Sequence, residues 1–311
     1  MTKFLSEIKW EKFTFVQSRD YQLPNWAQSH FLVPTPFLLS DGLLRVYGSF
    51  LNSNFVGRIG WIDVDLSKDN PKVVEVSQSP FLDVGAKNSF SEYGTGMGFI
   101  FKNLSQNYLG YVGFSRPSDV KFRAFSDLIP FNDPSKVELD SAINPRYGSD
   151  FGGKTITGFH DLLLENETYI GLFSLGNDFE LIADKPYPRY QVAIATGDSL
   201  DSLKIVSENI TPNMEDYYRI GRPRLTKVGN TYELLVTAGH RGGAYQPFVF
   251  YSGDLINWEK GDLNNFTSST VSGFDDLHQC YLSKFFYSGN NYVVYNGNYM
   301  GKLGFGIARE C

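Results

Sequence analysis

Apolar residues along the chain fall into short runs broken by polar turns. The first set reads FLVPTPFLL, SDG, LLRVYGSF and RIGWIDVDL, over residues 31–66. The same order returns as GMGFIF, KNLSQ, NYLGYVGFS and VKFRAFSDL over 96–128, and as ITGFHDLLL, ENE, TYIGLFSL and YQVAIATGDSLDSLKIV over 156–206. It returns again as GRPRLTKV, GN, TYELLVTAG and PFVFYSGDLINWEK over 221–260, and as YLSKFF, YSGN, NYVVYNGN and GFGIA over 281–308. The runs are β-branched and aromatic with partial alternation, and they lack the three-to-four-residue period of an amphipathic helix. Gly, Asn or Asp in the turn between two such runs is a hairpin signature. Only the N-terminal FLSEIKWEKF is compatible with a short helix. Radial repetition of small antiparallel sheets predicts an all-β fold, a five-bladed β-propeller with a central pocket. No Pro/Ser-rich linker divides the copies, so residues 1–311 are expected to form a single domain.

Composition supports strands. Aromatic residues make up 16% of the chain (26 Phe, 19 Tyr, 4 Trp), with 30 Gly and only 20% charged residues. Aromatic side chains suit pleated surfaces and glycine suits tight turns. Most of the aromatic excess is therefore packing between sheets. The net charge of −6 argues against a general nucleic-acid binder, which carries a basic face. No apolar run approaches the roughly 18–20 residues of a membrane span, and the N-terminus lacks the apolar stretch of a signal peptide. These features predict a cytoplasmic protein without a membrane span.

Cys280 and Cys311 are too few for a disulfide framework, and no spaced Cys/His set suggests a metal. No P-loop or nucleophile elbow occurs, and GTGMGF from Gly94 leads into strand residues rather than a helix. No cofactor is expected.

A propeller gathers the starts of its first strands around one funnel, so charged residues there are the functional candidates. Glu92, in SFSEYGTGMGF, fits a catalytic acid or a hydroxyl acceptor, and equally a loop carboxylate capping backbone N–H groups. Asp150, in RYGSDFGGKT, sits at the equivalent approach of the third copy, among glycines that suit either close ligand approach or a simple turn. Arg219, Arg222 and Arg224 in YYRIGRPR, with His240 and Arg241 after the next strand, would make a basic wall in an acidic protein. Guanidinium forks match carboxylate and phosphate oxygens, so the wall suits an anionic sugar, a sugar phosphate or a nucleotide sugar. Pairing with Glu215, Asp216 or other carboxylates is the alternative. Asp275 and His278 suit an acid–base or orienting pair, or a fixed loop with a rim histidine. Asn298, in YNGNYMGK, suits sugar hydroxyls or turn backbone.

From about Trp26 to Ala308 the chain resembles the five-bladed propeller glycosidase superfamily of arabinanases, β-xylosidases, invertases and mannoside phosphorylases. Its likeness is greatest to glycosidase-like proteins from bacterial surface-polysaccharide biosynthesis clusters. The residues carrying it include YNGN-x-x-GK-x-GFG and the turn formed by Ser252, Asp254, Leu255 and Trp258. The resemblance implies a pair of carboxylates flanking a glycosidic bond, one protonated and one ionised. Glu92, Asp150 and Asp275 are the candidates, and Asp275 follows an aromatic residue as the acidic residue does in the biosynthesis-cluster relatives. The first-blade position that carries Asp in hydrolases falls in Ala27-Gln28-Ser29-His30, where there is no acid. Gln28 cannot serve as a base, and His30 can only if it enters the pocket. The implied function is glycosyl transfer or cleavage on an activated or anionic sugar. The alternatives are a glycan-binding propeller without catalysis and an intracellular glycoside hydrolase. Nothing in the sequence fixes the oligomeric state.

Overall fold

The computed structural model describes residues 3–17, 19–67, 71–103, 106–138, 143–241, 243, 245–268 and 270–311. It is nearly all strand, 57% against 5% helix. A single 3-10 turn at Leu5–Glu7 precedes β1 (Trp10–Gln17), so the N-terminal segment expected as a helix is extended from Trp10 onward. Tertiary pairing explains the difference, because β1 is recruited as the partner of the last strand of the chain.

One antiparallel sheet comprises β2 (Ser29–Ser40), β3 (Leu43–Leu51), β4 (Gly57–Asp65) and β5 (Lys72–Val76). Next come β6 (Thr95–Lys102), β7 (Asn107–Ser115) and β8 (Arg123–Phe131). They are followed by β9 (Ile156–Glu165), β10 (Thr168–Ile182), β11 (Lys185–Gly197) and β12 (Lys204–Glu208). Then come β13 (Tyr217–Val228), β14 (Thr231–His240), β15 (Tyr245–Ser252) and β16 (Glu259–Lys260). Within each of these sets the pairing is antiparallel. Among the described residues, strand pairing joins the β6–β8, β9–β12 and β13–β16 sets through single parallel pairs, Ala124 with Ile156 and Tyr190 with Arg219. Finally β17 (Cys280–Tyr287), β18 (Asn290–Asn296) and β19 (Gly304–Glu310) form a sheet whose outer strand is β1.

The first strand of each set carries the same irregularity. Pairing slips around Val33 in β2, Gly98 in β6, His160 in β9, Arg222 in β13 and Tyr281 in β17. Val33, Arg222 and Tyr281 adopt left-handed φ values of 58°, 54° and 59°, an uncommon state for non-glycine residues and a costly one for valine. A bulge leaves backbone groups without ladder partners, and buried ones need substitutes. A polar side chain from a neighbouring set supplies several of them. Ser49 Oγ accepts from Met97 N (2.7 Å), Ser126 Oγ from Phe159 N (2.8 Å), Thr237 Oγ1 from Tyr281 N (2.8 Å) and Asn296 Oδ1 from Val33 N (2.9 Å). Asn296 Nδ2 also donates to Phe31 O and Gly304 O, both at 2.8 Å, tying β18 to β2 and β19.

Aromatic rings pack both within the sets and between them, as Phe99 of β6 does on Phe159 of β9 at 4.7 Å. Phe159 and Phe173 stack at 4.3 Å, Tyr47 meets Phe81 at 4.7 Å, and fully buried Phe31 packs on Phe50 at 4.8 Å. Full burial of such a ring contributes about 1.5–3 kcal/mol. Gly48 makes room for one of them, since a Cβ there would stand 2.6 Å from the Phe31 ring. Among the described residues, no helix is long and apolar enough to cross a membrane.

Candidate functional site

The bulges bring side chains of distant strands to one cavity of about 550 Å³. Leu32 and Val33 of β2, Thr95 and Gly96 of β6, Arg222 of β13 and Tyr281 of β17 contribute to its wall. Aromatic rings from β7 and the connecting segments complete it, Phe55, Tyr93, Phe114 and Phe122, together with the cations Arg116 and Lys121. Phe55 and Tyr93 are 73% and 40% exposed, so they form a rim rather than a floor. Among the described residues, the lining contains three cations and no carboxylate. The size is that of an ordinary small-molecule site.

Arg222 donates through Nη1 to Met97 O (2.6 Å) and lies 3.3 Å from His160 Nδ1. Its guanidinium therefore spans β13, β6 and β9 while still lining the cavity. Arg224, expected beside it, is used differently. It donates to Gly98 O (2.8 Å), His160 O and Thr35 Oγ1 (3.1 Å), and faces Asp161 at 3.9 Å. Its donors are spent on carbonyls exposed by two bulges, which makes it a clamp beneath the cavity rather than part of the wall. His160 is buried between these arginines, and burial with both positive charges holds its pKa well below the ordinary value, so the ring is neutral.

The remaining candidates disperse. Glu92 is half-buried immediately before the rim residue Tyr93, and accepts from Asn88 N (2.8 Å). Asp150 is exposed in a 3-10 turn (Ser149–Phe151) and does not line the cavity. Arg241 is turned to Glu180 (Nε–Oε1 2.6 Å) and Glu215 O (3.2 Å), the pairing that was the alternative to a basic wall. His240 is exposed, with its ring edge on Tyr217. Gln28 is exposed and its backbone N–H bonds Leu51 O. His30 sits in a left-handed conformation with Nδ1 2.9 Å from Ser29 Oγ. Burial and Lys302 lower its pKa, and it does not line the cavity.

Asp275, expected as an acid/base group, is buried in the turn that precedes β17. It pairs with Lys12 of β1 at 2.8 Å with side chains 0% and 1% exposed, and also accepts from Tyr295 Oη (3.0 Å) and Val271 N (2.6 Å). Its carboxylate is held by fixed donors, while the residue contributes to the wall of a second cavity, apart from Arg222. His278 accepts from Tyr245 N (3.1 Å) and lines this second cavity, of about 420 Å³, with Asp262 and Asp276. Asn298 is buried and bonds Leu277 N, His278 N and Asp276, closing the loop on itself. The Ser252–Trp258 turn is likewise structural, with Asp254 accepting from Ile256 N and Asn257 N. No group of His, Cys, Asp and Glu among the described residues could hold a metal.

Sequence reasoning missed Arg116, Lys121, Phe55 and Tyr281. The left-handed bulge that turns Tyr281 inward has no sequence signature, because tyrosine does not ordinarily mark a positive φ.

No family model matches the chain. An uncharacterized protein of Mycobacterium tuberculosis (strain H37Rv) is 21% identical over 301 residues, covering 97% of this chain and 99% of the relative. Among solved structures, a glycoside hydrolase aligns with a TM-score of 0.69 at 15% identity, covering 98% of this chain and 92% of that one. The catalytic domain of a Coprinopsis cinerea α-L-arabinofuranosidase aligns with a TM-score of 0.60 at 12% identity, covering 97% of each chain. A Bombyx mori β-fructofuranosidase, solved with sucrose, aligns with a TM-score of 0.60 at 13% identity, covering 98% of this chain and 64% of that one. The fold is therefore that of the propeller-type glycoside hydrolases.

Proposed function

We propose that residues 1–311 form one five-bladed propeller, with the bulged strands β2, β6, β9, β13 and β17 innermost and the Arg222 cavity as its central funnel. We read the protein as a cytoplasmic carbohydrate-active enzyme of bacterial surface-polysaccharide biosynthesis. It binds an activated or anionic sugar, such as a sugar phosphate or nucleotide sugar, and transfers or cleaves a glycosyl unit. One observation carries this reading, the cavity with an aromatic rim and, among the described residues, three cations and no carboxylate in its lining. Aromatic faces suit a pyranose ring, and unopposed cations suit its charged substituent.

The same lining disfavours hydrolysis by a carboxylate pair and favours transfer from a donor that brings its own leaving group, with cations stabilising the departing oxyanion. Glu92, next to the rim, is the acid/base candidate best placed along the chain. A glycan-binding propeller without turnover is the second reading, favoured by the burial of Asp275. A thermal-shift panel of nucleotide sugars, sugar phosphates, and uronic and nonulosonic acids tests the ligand class. Loss of turnover with retained binding in Glu92→Gln separates the enzyme from the binding module. Failure of every panel member to raise the melting temperature contradicts the proposal.

A further inference from the structure

Near Arg222 on β13 stands a second guanidinium that meets no carboxylate among the described residues. Arg219 lies three residues before Arg222 on β13, with its Cζ 4.5 Å from the ring centre of Tyr245, 4.8 Å from Tyr218 and 5.7 Å from Tyr187. Arg222 Cζ stands 5.9 Å from the ring of Tyr281, and the rings of Tyr245 and Tyr281 are 6.2 Å apart. Both arginines act electrostatically on the Tyr281 phenol, and Tyr190 neighbours Arg219 as well. Among the described residues neither arginine meets a carboxylate, whereas Arg45, Arg224 and Arg241 each face one within ion-pair range. Arg219 Nε is buried with no hydrogen-bond partner.

The sequence makes room for this arrangement. A Cβ on Gly239 would sit 2.6 Å from Arg219 Nε, and one on Gly221 would sit 2.7 Å from the Tyr190 ring. Cation–π contact with the rings offsets part of the desolvation of Arg219 but provides no counter-charge. Burial raises the pKa of the Tyr245 and Tyr281 phenols, so their hydroxyls are donors rather than anions. Two cations beside the adjacent rings of Tyr245 and Tyr281, whose hydroxyls can donate, and with no carboxylate on either among the described residues, are complementary to an oxyanion.

We infer that Arg219 and Arg222, with the hydroxyls of Tyr190, Tyr245 and Tyr281, form the recognition site for the phosphate or carboxylate group of the ligand. The inference rests on the reading of the funnel as a sugar site and adds where its charge is held. The sequence pattern put Arg219 in the basic wall but did not single out these tyrosines.

The test is calorimetric titration of the full chain with glucose 1-phosphate, glucuronate, inorganic phosphate and glucose. The proteins are wild type, Arg219→Gln, Arg222→Gln and Tyr281→Phe. At least one anionic probe is expected to bind wild type, with both glutamine variants weakening it roughly tenfold or more. Tyr281→Phe deletes one hydroxyl and should weaken binding several-fold at an unchanged melting temperature, which guards against a folding artefact. Binding of glucose 1-phosphate but not glucuronate assigns phosphate, and the reverse assigns carboxylate. If glucose binds and no anion does, or if Arg219→Gln and Tyr281→Phe bind anions as wild type does, the inference is overturned while the sugar reading stands. If inorganic phosphate binds in an Arg219-dependent way and no sugar binds, the anion site stands and the sugar reading falls. No binding by any probe overturns both.

Discussion

Replacing Lys12 with methionine removes one half of a buried ion pair while keeping the length of the side chain. Lys12 Nζ is 2.8 Å from Asp275 Oδ2, both side chains are essentially inaccessible, and the ammonium rests 4.5 Å from the ring centre of Phe266. Burial lowers the Lys12 pKa and Asp275 opposes that shift, so each charge depends on the other. In Lys12→Met the carboxylate keeps only Tyr295 Oη and Val271 N as donors. Breaking a buried pair from one side costs about 3–5 kcal/mol. At roughly 2.1 cal/mol/K per residue, the 311-residue chain has an unfolding entropy of about 0.65 kcal/mol/K, so a loss of 4 kcal/mol lowers Tm by about 6 °C. The assay is urea unfolding of both proteins at pH 7, with calorimetry for Tm.

A loss below about 1 kcal/mol at pH 7 refutes the assignment of Asp275 to a buried ion pair. So does an Asp275→Asn variant that is as stable as wild type but inactive, which would return Asp275 to the chemistry.

Arg224→Gln should cost about 3–5 kcal/mol in denaturant unfolding, because it strands Gly98 O, His160 O and buried Asp161 together; a loss below 1 kcal/mol contradicts the clamp. Gly98→Ala puts a Cβ 2.5 Å from Gly110 O and 2.7 Å from Phe159 O, both backbone, and should destabilise by about 1–3 kcal/mol; an unchanged urea midpoint contradicts that packing. His160 has a folded pKa below its unfolded value near 6.5, so its contribution to stability is complete above that value and is lost as pH falls through the window below it. His160→Gln should flatten the fall in urea midpoint between pH 8 and pH 5.5, and an identical slope in variant and wild type contradicts it.

Hairpin turns and strand runs were readable because Gly, Asn and Asp punctuation and aromatic-rich segments act locally. The strand β1 was not, since its identity comes from pairing with β19, almost the whole chain away. Arg222 was read as opening a strand; it lies within β13, at the bulge that turns it to the cavity wall. The burial of Asp275 was not legible because its neighbours in sequence do not include Lys12, its partner 263 residues earlier. Arg224, likewise, serves carbonyls that only exist because β6 and β9 bulge. The YNGN motif proved to be architecture, with Asn296 stitching the last sheet to the first. Candidate charges are legible from sequence; whether each is spent inside the fold depends on register shifts that leave no local mark.

The most direct measurement is a crystal structure of the protein soaked with the panel member that most raises its melting temperature. The account predicts density in the 550 Å³ cavity, the sugar ring against Phe55 or Tyr93 and the charged group within hydrogen-bond reach of Arg222 and Tyr281. Density instead in the cavity beside Asp276 and His278, with the Arg222 cavity empty, would contradict it.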